Sequence, residues 1–108
     1  MSPPTPSTIF AALGDDTRLS LLHKLSAGPR SISQLSEGTE KTRQAITKHL
    51  RVMEGAGLVQ CTRQGRESVF QVDPVPLRQA QDYLSHVSAQ WDEALLRLKA
   101  LVEDSAES

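Results

Sequence analysis

The chain has 108 residues, of which 38% are hydrophobic, 23% are charged and 4% are aromatic. These values favour one globular domain with a thin, mostly aliphatic core, and the formal net charge of −1 points to no partner. No apolar run reaches membrane-spanning length or resembles a signal peptide, and one cysteine cannot form an internal disulfide, so we expect a cytoplasmic protein with no membrane partner.

The N-terminal part predicts two helices. Residues 1–7 are rich in Pro and Ser and are expected to form a disordered tail. A short helix is predicted from about Ser7 to Leu13. Asp15 or Asp16 should cap a second helix, which ends at the Ala-Gly-Pro of residues 27–29. We expect this second helix to bury one side, formed by Leu19, Leu22 and Leu25.

The middle of the chain predicts two further helices joined by a turn. Ser31 and Gln34 have capping-box spacing, so a short third helix should begin near Ile32 and end before residues 38–39. Thr42 is a plausible N-cap for a fourth helix that ends near residues 55–57. Its buried stripe should contain Ile46, Leu50 and Met53, which are spaced for one helical face.

A β-hairpin and a long helix complete the prediction. Alternation from Val59 to Arg63 predicts a strand, residues 64–67 a turn, and residues 68–72 a second strand. A helical pattern then runs over about residues 77–103, and residues 104–108 are expected to be a loose acidic tail. Its apolar residues follow a heptad repeat, with Leu77, Leu84, Trp91 and Leu98 in one series and Ala80, Val87, Ala94 and Leu101 in the other.

The predicted fold is therefore mainly α with a small β-hairpin. Two short helices separated by a turn and followed by a hairpin form a winged helix-turn-helix. We expect one such domain over residues 8–103, ending in the long helix.

Basic residues are concentrated on two of these elements. Residues 41–66 contain six basic side chains and one acidic side chain, a net +5. A helix in the DNA major groove contacts base edges with Arg or Gln near its N-terminus, while Lys and Arg elsewhere contact phosphates. The predicted DNA-binding residues are Thr42, Arg43, Gln44, Thr47, Lys48, His49, Arg51, Arg63 and Arg66. The structural alternative is that these basic side chains form an ordinary solvent-exposed face. The alternative function is a winged-helix adaptor that binds protein and does not bind specific DNA.

Four short motifs resemble the ArsR family of bacterial winged-helix repressors. They are the DDTR of residues 15–18, the TKHL of residues 47–50, the AGLV of residues 56–59 and the RQGRESVF of residues 63–70. Thr replaces the family's usual Ser in the second motif, and Phe replaces Tyr in the fourth. The resemblance covers about residues 8–73. It implies a homodimeric transcriptional repressor that binds operators in double-stranded DNA, and it does not identify an inducer.

Many members of that family sense metals, but this chain lacks the usual ligands. The position of the family's Cys-x-Cys motif has Ser31 and Ser33. Asp82 and His86 lie one turn apart in the predicted long helix, and two such pairs across a dimer could supply four ligands. Exposed side chains without a metal are the simpler interpretation. We therefore predict no metal and no cofactor.

The long helix has more apolar surface than one thin domain needs. We expect it to pack on a second copy together with the first helix. The predicted dimer-interface residues are Ile9, Phe10, Leu13, Leu77, Leu84, Val87, Trp91 and Leu98. The alternative is that the helix folds back over its own core. The sequence contains no nucleophile, base and acid at a spacing typical of a catalytic site, so it does not predict an enzyme.

Overall fold

A computed structural model of the chain describes residues 5–107. Its elements confirm the predicted winged helix-turn-helix, with a three-stranded antiparallel sheet and a long C-terminal helix. Their bounds are α1 Pro6–Leu13, α2 Asp16–Leu25, β1 Arg30–Ser31, α3 Ile32–Ser36, α4 Arg43–Gly55, β2 Val59–Gln64, β3 Glu67–Val72 and α5 Pro74–Glu107.

The first helix begins earlier than the predicted tail allows. Thr5 is its N-cap, and the Thr5 hydroxyl accepts a hydrogen bond from the Thr8 backbone N–H at 3.3 Å. Pro6 fits the first helical position, where no N–H is needed and the φ of proline is already suitable. Pro6 and Ser7 thus belong to α1 rather than to a disordered tail, and residues 1–4 lie outside the described residues.

The buried side of α2 differs from the prediction. Leu21 and Leu25 are buried, whereas Leu19 is 48% exposed and Leu22 is half-buried. The helix packs against α4 and β3, and Leu21 and Leu25 belong to the buried core. Four leucines within seven residues allow two overlapping stripes, and only the direction of the neighbouring elements decides between them.

The sheet contains a strand that the sequence did not predict. Arg30 pairs with Phe70 and Ser31 pairs with Val69, so the strand order is β1-β3-β2. A strand of two residues is too short to show alternation. Its pairing makes β3 the central strand, which gives the hairpin support that two strands alone lack.

The core lies where α1 to α4 meet the sheet and the start of α5. The predicted stripe of Ile46, Leu50 and Met53 is confirmed as buried. Phe70 on the central strand is fully buried as well. The remaining buried apolar residues are Ile9, Ala12, Leu21, Leu25, Leu35, Ala56, Leu58, Val59 and Ala80.

The last helix is longer at both ends than predicted. It starts at Pro74, where the Asp73 carboxylate accepts a hydrogen bond from the Val75 N–H at 3.1 Å. Prolines at 74 and 76 fall in the first turn, which needs no backbone donors. Residues 104–107, predicted as a loose tail, continue the helix because they contain neither Gly nor Pro to end it. Within residues 5–107, no helix has both the length and the apolar character needed to cross a membrane.

Candidate nucleic-acid interface

Both ends of α4 are fixed by local interactions. At its start, the Thr42 hydroxyl accepts a hydrogen bond from the Ala45 N–H at 3.1 Å, as predicted for an N-cap. At its end, the Leu58 N–H donates to the Met53 carbonyl and the Gly57 N–H donates to the Glu54 carbonyl. This is a Schellman motif, and it requires the left-handed conformation that Gly57 adopts at φ 78°.

The N-terminal half of α4 presents polar side chains to solvent. Arg43, Gln44 and Lys48 are exposed, and Thr47 is half-buried. The Thr47 hydroxyl donates to the Arg43 carbonyl at 2.8 Å, which leaves its oxygen as an acceptor. At 100° per residue, all four side chains lie within an arc of about 140°. The structure thus brings these predicted DNA-binding residues onto one face.

Arg51, farther along α4, is engaged within the chain. Its Nη1 donates to Glu54 Oε1 at 2.7 Å, and this hydrogen bond raises the pKa of Arg51. Its guanidinium also lies over the ring of Phe70 on β3. Arg51 therefore connects α4 with the hairpin formed by β2 and β3, a contact that helix spacing could not indicate.

His49 is held by α2. Its Nδ1 lies 3.3 Å from Arg18 Nη1 and 3.8 Å from Asp15 Oδ2. The His49 side chain is only 23% exposed. His49 Nδ1 is thus not free to contact DNA. This agrees with the structural role that its position between the buried stripe and the polar face of α4 suggests. Sequence reasoning missed Arg18, although it belongs to one of the four motifs.

The hairpin formed by β2 and β3, which we call the wing, carries the other two predicted basic residues. Arg63 is exposed on β2, opposite Ser68, and Arg66 is exposed in the two-residue loop. Gly65, the first loop residue, has φ 62°, the position at which a type II′ turn takes glycine. The tight loop places Arg66 at the tip of the wing.

The predicted dimer surface is divided between buried and exposed residues. Ile9 is 1% exposed in the core of its own chain and is not available to a partner, which corrects its assignment. Phe10 packs against Tyr83 of α5, with ring centroids 6.0 Å apart. Leu13 and Leu77 are partly buried against the core. Beyond these contacts Leu84, Trp91 and Leu98 are 54%, 64% and 57% exposed, and Val87 is half-buried.

The residues considered as metal ligands do not converge in the structure. Ser31 closes a capping box with Gln34, because each side chain accepts a hydrogen bond from the other residue's backbone N–H. Asp82 and His86 are exposed on α5, and His86 Nε2 lies 3.4 Å from Gln90 Nε2. Over residues 5–107, no three His, Cys, Asp or Glu side chains are grouped to bind a metal ion.

Comparison with known proteins identifies the family. Residues 15–60 match the family model described as "Bacterial regulatory protein, arsR family". The HTH-type transcriptional regulator Rv2034 of Mycobacterium tuberculosis is 28% identical over 103 residues, covering 95% of this chain and 94% of that protein. An ArsR-like transcriptional regulator from Rhodococcus sp. RHA1 is 33% identical, with a TM-score of 0.78 over 89% of this chain and 91% of its own. The chain belongs to the ArsR family.

A more distant structure shares the fold of this ArsR-family chain. The protein Mb0332 of Mycobacterium bovis, described as a homodimeric winged helix-turn-helix DNA-binding domain, is 21% identical. It has a TM-score of 0.60 and covers 82% of this chain and 80% of its own. The resemblance seen in the four motifs is thus confirmed at the level of family and fold.

Proposed function

We propose that this ArsR-family protein is a homodimeric transcriptional repressor that binds a palindromic operator in double-stranded DNA. The observation that carries the proposal is the polar face at the start of α4, where Arg43, Gln44 and Lys48 are exposed to solvent. A helix with such a face fits the major groove, where its N-terminal residues meet base edges, and we therefore call α4 the recognition helix.

The side chains divide by chemistry into two groups. Arg43 and Gln44 stand at the start of the helix and can each form paired hydrogen bonds, Arg with guanine and Gln with adenine. Thr42 and Thr47 add hydroxyl oxygens beside them. Lys48 lies farther along, and Arg63 and Arg66 lie on the wing. These three suit phosphates, which fix the position of the protein without selecting a sequence.

Two copies are required because one recognition helix contacts too few base pairs to select a site in a genome. The exposed apolar face of α5 supplies a surface for a second copy, with Leu84, Trp91 and Leu98 each more than half exposed. Burying one such side chain contributes about 1.5–3 kcal/mol. Mb0332, which shares the fold, is described as homodimeric. A twofold dimer would bind two half-sites about one helical turn apart.

The test is selection of bound fragments from genomic DNA, followed by a mobility-shift assay on the enriched site. We expect tight binding of a palindrome that scrambled DNA does not compete away at moderate salt. The double variant Arg43→Ala/Gln44→Ala should lose this preference. Arg78→Ala, which removes one charge from exposed α5, is the control and should retain it. Absence of any enriched site would favour the protein-binding adaptor instead.

Repression requires its own measurement. A promoter fused to a reporter and carrying the enriched site should be silenced by the wild-type protein and released when the gene is deleted. Higher reporter output in the presence of the protein would show activation and contradict the repressor assignment.

A further inference from the structure

Arg18 connects three helices through its side chain. Its Nε donates to the Ala12 carbonyl at 2.6 Å, and its Nη2 donates to the Ala11 carbonyl at 3.3 Å. Both acceptors belong to the last turn of α1, where a cation is favoured. The Ala11 carbonyl also accepts the N–H of the C-cap residue Gly14 at 3.3 Å. The third nitrogen, Nη1, reaches His49 on α4 at 3.3 Å. One side chain of α2 thus links the end of α1 to the recognition helix.

The contact with His49 also bears on which ring nitrogen carries the proton when the ring is neutral. A guanidinium has only donors, so His49 Nδ1 must accept the hydrogen bond from Arg18. In the neutral ring the proton then lies on Nε2. Asp15 is the N-cap of α2, and its Oδ2 accepts the Arg18 backbone N–H at 3.0 Å. The same Oδ2 lies 3.8 Å from His49 Nδ1, beyond hydrogen-bond length.

Helix α1, to which Arg18 is hydrogen-bonded, also adjoins the apolar surface of α5. Helix α1 packs on α5, with Phe10 against Tyr83, and Ala80 of α5 is only 4% exposed. The helices that adjoin the dimer surface and the helix that faces DNA therefore meet at a single side chain, in addition to their shared core. Arg18 is rigidly placed for this, because a planar fork that makes three hydrogen bonds can occupy few rotamers.

We propose that Arg18 is a positioning residue that sets the orientation of the recognition helix relative to α1 and so to the dimer surface. The inference rests on the proposed function, because its main readout is operator binding. A dimer binds two half-sites only when both recognition helices have the correct angle and separation. A side chain that joins α1 to α4 controls that geometry without contacting DNA.

The experiment compares paired substitutions at both ends of the contact. Arg18→Met keeps much of the side chain's length and removes every donor, while Arg18→Lys keeps the charge and removes the fork. His49→Asn keeps an acceptor near the position of Nδ1, while His49→Leu removes it. We expect His49→Leu to weaken operator binding about tenfold, the loss of one hydrogen bond to a charged group. Arg18→Met should weaken it at least as much, because it also removes the donors to the Ala11 and Ala12 carbonyls. His49→Asn should bind the operator more tightly than His49→Leu, because it keeps an acceptor for Arg18, and Arg18→Lys should resemble Arg18→Met.

Two further readouts separate positioning from general destabilisation. All variants should remain dimers by sedimentation and should bind scrambled DNA as the wild type does. The double variant Arg18→Met/His49→Leu should bind the operator no more weakly than Arg18→Met, because Arg18→Met alone already removes the contact between Arg18 and His49. The nitrogen chemical shifts of His49 should report the Nε2–H form in the wild type and a mixture of both neutral forms in Arg18→Met.

The results distinguish failure of the positioning role of Arg18 from failure of the proposed function. Additive losses in the double variant, or unchanged operator affinity in both single variants, would overturn the positioning role while leaving the proposed function intact. A wild-type protein without sequence-specific binding would instead overturn the proposed function, and the positioning role with it. If Arg18→Met does not fold, Arg18→Lys and the two His49 variants decide the question.

Discussion

The guanidinium carbon of Arg51 lies 5.5 Å from the centre of the Phe70 ring. Arg51 is on the recognition helix, and Phe70 is buried on β3, the central strand of the sheet. The contact, with the hydrogen bond to Glu54, explains why a basic residue one turn beyond Thr47 is turned toward its own chain. It makes Arg51 a structural contact between the two elements proposed to bind DNA.

Replacing Arg51 should therefore lower stability. Arg51→Ala removes the cation from the Phe70 ring and leaves Glu54 without its partner. We expect the free energy of unfolding to fall by about 0.5–1 kcal/mol, the usual contribution of an exposed cation–π pair. Urea unfolding measures this directly. Lys48→Ala, on the exposed face of the same helix, is the control and should change stability by less than about 0.5 kcal/mol. Equal effects of the two substitutions would contradict the assignment.

Arg43 and Lys48 should differ in the kind of binding they support. Arg43→Ala should cost about 1–3 kcal/mol on the operator and relax one base-pair position, because a base-contacting side chain is lost. Lys48→Ala should weaken operator and scrambled DNA alike and reduce the slope of affinity with salt by about one unit. Titrations of both DNAs at several salt concentrations distinguish the two. Parallel losses for Arg43→Ala on both DNAs would show that Arg43 contacts phosphate.

The sequence predicted most of this architecture because the local signals agree with the tertiary contacts. Thr42 caps the recognition helix, Gly57 ends it, and Ile46 lies in its buried stripe, all as the pattern indicates. Prediction failed where long-range contacts decide. Leu19 and Leu21 are both plausible core residues until the direction of α4 and β3 is known.

The same limit applies to the candidate site. The shared face of its exposed residues can be predicted from helix spacing, because these side chains depend on no contact with another element. The engagement of His49 by Arg18 joins residues far apart in sequence, and neither helix pattern contains any sign of it. The wing contact of Arg51 is likewise invisible until the strand that carries Phe70 has been placed.

Asp15 should make stability depend on acid pH. The hydrogen bond from the Arg18 backbone N–H holds the pKa of Asp15 below its ordinary value of 3.8. A carboxyl with a lowered folded pKa stabilises the fold above the unfolded value, and that stability is lost as pH falls through the folded value. Wild type should be more stable than Asp15→Asn at neutral pH, and the gap should close below pH 3.8. Chemical denaturation across this range tests it.

The control for this experiment removes the same charge next to the cap. Asp16→Asn changes the first residue of α2 but leaves the capping carboxylate in place. Its difference from wild type should vary less with pH than that of Asp15→Asn. A stability gap for Asp15→Asn that stays constant down to the lowest pH would contradict a capping carboxylate as the source of the pH dependence.

Metal ions should not release the protein from DNA. Residues 31 and 33 are Ser rather than Cys, and each α5 contains a single His, so one chain has too few ligands for a tight site. Adding zinc, cadmium or arsenite to the complex with its operator should leave the affinity unchanged. A stoichiometric loss that a chelator reverses would contradict this. The variant Asp82→Asn/His86→Gln would then show whether these two residues bind the ion.

The dimer surface can be tested with single charges on α5. Leu84→Asp or Trp91→Asp should yield a monomer that loses specific DNA binding, because the charge would be buried against the partner. Sedimentation at micromolar concentration measures the change. Leu96→Asp is the matched control, since Leu96 is equally exposed but lies about 140° around the helix from Trp91. A wild-type monomer that binds its operator at full affinity would refute the dimer.

The two-residue strand β1 has a consequence for how the chain folds. The wing closes over two loop residues, a fast local event, whereas Arg30 meets Phe70 only after the helix-turn-helix between them has been enclosed. Loop-closure entropy therefore favours an order in which the hairpin and the helices form first and the pairing of β1 with β3 completes the fold. Amide protons of β1 should exchange with solvent before those of β3, since the last contact to form is the first to open.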